Sequence, residues 1–148
     1  MNKRRIDHSE FHQLIGEWST EGRILSQQEA AAIDLHGTDC YEVILDGFYL
    51  LHQADVRIGE APGQTHELIG LEGAGPQATF AYFNNQGASG HMVGLLEKDH
   101  FTIEGEGLRF RGELTEQGRQ LVGVWQQLDS QGQWQDWMEI KLSKFPKE

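Results

Sequence analysis

His52 sits in the cleanest alternating stretch of the chain. Phe48, Leu50, His52, Ala54, Val56 and Ile58 fall on one face, and Tyr49, Leu51, Gln53, Asp55 and Arg57 on the other. A strand with that two-residue period is half buried, so the spacing predicts a histidine that points into an apolar interior. A buried imidazole must find a hydrogen-bond partner or stay neutral through a lowered pKa. Such a residue can orient a ligand, move a proton or ligate a metal. The plainer reading is a core histidine with its partners satisfied, and it takes precedence because buried polar groups are usually paired.

Two further histidines bear on this site. His66 shares a strand face with Leu68, and His91 with Val93 and Leu95. Convergence of the three would make an open zinc or iron site. They come from different strands, with no H-x-H or H-E-x-x-H pattern, so no metal is expected. Glu42 would lie near His52 across a hairpin if it faced inward with Ile44, and the pair could then do acid–base work. The opposite assignment, with Tyr41, Val43 and Leu45 inside, buries more apolar surface and is preferred.

The aromatic residues Trp18, Phe48, Tyr82, Trp125 and Trp134 could line a pocket or simply form core. Trp125 is the best pocket candidate, because Gly123 leaves room beside it and Gln127 offers a polar handle on the same face. The expected ligand-lining set is therefore Trp18, Phe48, His52, Tyr82, Trp125 and Gln127, with no catalytic residue assigned. The glycines at 70, 73 and 75 lack the Lys and Thr of a phosphate loop, and no helix follows them. Gly105-x-Gly107 fails the same test. Asn84-Asn85-Gln86-Gly87 is a turn whose amides could meet a polar ligand at a barrel mouth. No serine stands in a nucleophile elbow, and Cys40 has no neighbouring activator.

The elements that must position these residues are mostly strands. The 148 residues fit one domain, 1–148, with residues 1–6 expected as a frayed tail. Asp7, with Glu10 as capping-box partner, opens a short helix that carries Phe11, Leu14 and Ile15 on one face and ends at Gly16. Alternation then begins at Trp18, and turn signals recur every 8–12 residues, giving about ten strands. Gln27 to Ala32 reads equally as a helical turn or a strand crossover. Short hairpin connections, glycines inside strands (Gly22, Gly70, Gly94, Gly112, Gly123) and a helix able to plug one end favour closure over a sandwich. The expected fold is all-β: an antiparallel up-and-down barrel with a short N-terminal helix, wide enough for a small-ligand cavity.

These segments also carry a likeness. Leu14-Ile15-Gly16-Glu17-Trp18 resembles the L-x-G-x-W opening of calycin-like barrels. Glu42 to Leu50, reading EVILDGFYL, resembles a block of the DUF1579 family, as do Gly105 to Phe110, Val124-Trp125 and Trp137-Met138-Glu139-Ile140. The resemblance runs from about Phe11 to Phe145. It implies a calycin-like barrel and no established activity. Nitrobindins, a haem-binding relative of such barrels, have more glycines after their Trp than Ser19-Thr20-Glu21-Gly22 supplies, and no cofactor is expected.

Charge narrows the partners. Lys and Arg total 12 against 23 Asp and Glu, a net charge of -11. That surface repels phosphate backbones and anionic membranes, and Lys3-Arg4-Arg5 reads as a solvated tail. One cysteine and no apolar segment after Met1 point to a cytoplasmic setting, with the protein a monomer or homodimer. The leading functional reading is a non-catalytic barrel holding a small, largely apolar molecule. The alternative is an enzyme for a small hydrophobic substrate, with His52 as acid–base and Tyr82 or Glu42 assisting. An interaction module using the outer barrel face is a third.

Overall fold

Ten strands follow one another in the computed structural model, which describes residues 4–25 and 33–146. They are β1 (Gly16–Ile24), β2 (Ile33–Ile44), β3 (Tyr49–Ile58), β4 (Ala61–Leu71), β5 (Ala78–Asn84), β6 (Ser89–Glu97), β7 (His100–Gly105), β8 (Leu108–Thr115), β9 (Gln120–Leu128) and β10 (Trp134–Lys144). Each pairs antiparallel with the next, and β10 returns to β1, with Trp18 opposite Lys144 and Ile24 opposite Met138. The sheet is thus a closed up-and-down barrel. The expected ambiguity at Gln27 to Ala32 lies outside the described residues.

The alternation that identifies the strands also sets their inner face. Trp18, Leu50, Ile69, Phe80, Phe101, Phe110, Leu121 and Leu142 are all buried. A linked set of rings runs inward from the N-terminal turns: Phe101 lies 6.4 Å from Phe11 and 5.6 Å from Phe110, whose ring is 5.2 Å from that of Trp125. Phe110 can lie flat against the wall because Gly112 and Gly123 sit opposite each other beneath it. A Cβ at either glycine would come within 2.6 Å of the Phe110 ring.

The N-terminal element differs from the single helix expected. It is two 3-10 turns, Ile6–His8 and Glu10–Leu14. Asp7 is not the cap, because its carboxylate is taken by Arg5 at 2.9 Å. Ser9 caps instead: its hydroxyl donates to the Ile6 carbonyl (2.6 Å) and accepts from the Phe11 N–H (3.2 Å). Residues 4–6 are also not a frayed tail. Ile6 is fully buried, and the Arg4 guanidinium donates to the Gly73 and Gly75 carbonyls in the β4–β5 turn. Ile6, Phe11 and Leu14 plug the barrel end where β1 starts. Ser9→Ala should cost about 1 kcal/mol of stability in urea unfolding. An unchanged midpoint would show that burial alone holds the plug.

The second strand is longer than its expected core of Tyr41 to Leu45. Of the residues expected inside there, Tyr41 is buried, while Val43 and Leu45 are 39% and 65% exposed. The reason is register. Gly16, the first residue of β1, pairs with Tyr41, so β2 beyond that point has a neighbour only on β3. Leu45 then enters a turn in which Leu45, Asp46 and Gly47 all have positive φ.

Candidate functional site

Three adjacent strands build one polar cluster inside the barrel. Pairing sets Tyr41 of β2 opposite His52 of β3, and His52 opposite Glu67 of β4. Asp39, two residues before Tyr41, shares its inward face. His52 Nδ1 lies 2.9 Å from Glu67 Oε1, and Nε2 lies 2.6 Å from Asp39 Oδ2. Thr20 of β1 donates its hydroxyl to the other Asp39 oxygen. The Tyr41 ring stacks on the imidazole, 4.0 Å between centroids and 6° from parallel.

The electrostatics follow from that geometry. A carboxylate only accepts, so both ring nitrogens must carry hydrogen. Burial pulls the His52 pKa down, but the hydrogen bonds and charges of Asp39 and Glu67 outweigh it and raise the pKa from 6.5 to about 9. Burial, reinforced by the same two charges, pushes the Tyr41 phenol well above its ordinary value, so it keeps its proton. Two carboxylates and one imidazolium leave the cluster with one net negative charge.

The cluster forms part of the wall of a cavity of about 350 Å³. The rest of that wall is largely apolar, including Ala54, Val56, Ile58, Phe110, Trp125 and Ile140. The lining extends to exposed Gln64, Asn85 and Gln86 at the β3–β4 and β5–β6 end, opposite the plug. No lysine or arginine lines it among the described residues. Two polar atoms there are unused: the Tyr41 hydroxyl and Glu67 Oε2 have no hydrogen-bond partner among the described residues. Among the described residues no fully buried polar side-chain atom lacks a partner, so both of these atoms keep accessible surface, and both residues line the cavity.

The residues expected to line a ligand site separate into two groups. His52, Tyr82 and Trp125 lie on the cavity wall. Trp18 does not: it is fully buried against the plug, where its indole N–H donates to the Leu14 carbonyl at 2.9 Å. Phe48 is half buried in the β2–β3 turn, and Gln127 is exposed. Trp134 packs under the Arg109 guanidinium, 4.3 Å from its ring centre. Glu42, His66 and His91 are exposed, so neither the Glu42–His52 pair nor the three-histidine convergence forms.

Asp39 and Glu67 escaped the sequence reading for different reasons. Gly37-Thr38-Asp39 has turn chemistry, which hides a strand whose pairing on both sides overrides it. Glu67 shares its face with Ile69 and Leu71. That parity was available in the sequence, but the neighbouring His66 and Leu68 offer the competing one.

An antiparallel ten-stranded meander, plugged at one end and hollow toward the other, defines a calycin-like barrel. The family profile described as "Protein of unknown function (DUF1579)" matches residues 3–144, and the chain belongs to that family. Among solved structures it resembles one titled "Crystal Structure of Rv2717c from M. tuberculosis". The TM-score is 0.70 at 13% identity, over 90% of this chain and 94% of that one. Comparison with curated proteins gives no match.

Proposed function

We propose that the barrel binds a small, largely apolar molecule in its interior and does not transform it. The observation that carries this reading is the 350 Å³ cavity, apolar over most of its wall with polar groups gathered at Asp39, Tyr41, His52 and Glu67. Small-molecule sites have this form, a mostly apolar hollow of at least ~300 Å³ with a few fixed polar groups. At ~30 Å³ per non-hydrogen atom, taking a water molecule's share of the liquid, it holds roughly ten such atoms.

The geometry weighs against His52 as a general base. Both of its nitrogens are engaged by carboxylates, so neither offers a lone pair to a substrate proton. Of the two assistants that reading names, Tyr82 lines the cavity and Glu42 is exposed.

Calorimetric titration with 1-octanol should show saturable binding at one site per chain. Ala54→Phe, which puts a ring into the cavity, should weaken that binding roughly tenfold or more while unfolding stays cooperative. Absence of saturable binding to the unaltered protein would overturn the reading.

A further inference from the structure

We infer that the cavity selects a ligand whose polar end is a cationic amine, and that Glu67 and Tyr41 receive that end. The inference rests on the binding reading above and names its ligand class. The charge count does not depend on where the protons sit. Two nitrogen–oxygen contacts, at 2.6 Å and 2.9 Å, require two hydrogens among Asp39, His52 and Glu67. With those two hydrogens and both carboxyls otherwise ionised, the three side chains together hold one negative charge, whichever atom each shared hydrogen favours. No basic residue among the described cavity lining offsets it.

The unused atoms complete the match. Glu67 is 7% exposed and Tyr41 5% exposed, yet Glu67 Oε2 and the Tyr41 hydroxyl lack partners among the described residues, and both side chains line the cavity. Glu67 Oε2 can only accept, so it suits an N–H donor. A carboxylate in the same place would oppose a charge of its own sign beside a largely apolar wall, where repulsion is screened less than in bulk water. An alkylammonium keeps its proton at neutral pH, because an aliphatic amine titrates near ~10.4. It would cancel the cluster's net charge while its chain covers the apolar wall.

Three probes of equal chain length test this by calorimetry at neutral pH: n-octylamine, 1-octanol and sodium octanoate. The amine should bind at least about tenfold more tightly than the octanoate, with the alcohol between them. Glu67→Gln, which keeps an acceptor for His52 but removes the charge, should cut the amine's advantage over the alcohol about tenfold. Octanoate binding as tightly as the amine would overturn the head-group assignment while leaving the cavity reading intact. An undiminished amine preference in Glu67→Gln would overturn the part given to Glu67. Binding of none of the three would overturn the cavity reading, and this inference with it. Should Glu67→Gln fail to fold, the ranking of the three probes on the unaltered protein decides the head group alone.

Discussion

Replacing His52 with leucine should destabilise the fold by about 3–5 kcal/mol at neutral pH, the usual cost of removing one partner from a buried ion pair. Asp39 and Glu67 are 8% and 7% exposed, and His52 is the cation that both contact. Leucine would keep apolar contact with the Tyr41 ring but leave two carboxylates close together without it. Urea unfolding measures the loss. Adding Glu67→Gln to the His52→Leu variant removes one stranded charge and should recover part of the stability. A loss below about 1 kcal/mol, the range of exposed pairs, would show that cavity water solvates the carboxylates as well as the imidazolium does.

Raising the pH should reproduce part of that loss without a substitution. The folded-state pKa of His52 is about 9, above the ordinary imidazole value of 6.5. A group with a raised folded pKa binds its proton more tightly in the native state. Its contribution is fully present below about pH 6.5 and is lost as the pH climbs through about 9. A shift of that size corresponds to roughly 3 kcal/mol. Urea midpoints at about pH 6 and about pH 10 should differ accordingly, with the lower stability on the alkaline side. His52→Leu should flatten that part of the profile. An equal alkaline loss in the variant would assign it to other groups.

The sequence exposes the cluster's centre more readily than its partners. Leu50, His52, Ala54, Val56 and Ile58 alternate without interruption, so the inward direction of His52 follows from period alone. Asp39 and Glu67 become visible only through register. Glu67 is placed by its pairing with His52, and Asp39 by the pairing of Tyr41 with the same residue. Such alignments join residues 13 and 15 positions apart and leave no mark on either strand's own pattern. The plug shows the same limit at shorter range. Asp7 and Glu10 satisfy a capping box on paper, but Arg5 competes for Asp7 and a 3-10 turn follows. Trp18 was legible as an inward aromatic. Its exclusion from the cavity depends on how deeply the plug enters, which is a property of packing rather than of pattern.

The order of strand pairing has a consequence for how the chain reaches this structure. Every pairing but one joins strands consecutive in sequence and can form as soon as its own hairpin exists. The pairing of β1 with β10 brings Trp18 to Lys144 across nearly the whole chain, and it must bear the entropy of closing that loop. Hairpins can therefore accumulate during synthesis from β2 onward, while ring closure waits for the last strand to emerge. In that interval β1 and β9 present unpaired backbone edges, which are templates for pairing between molecules. The vulnerable period of this protein's life is thus set by the wait for β10, and a chaperone that shields strand edges would act there.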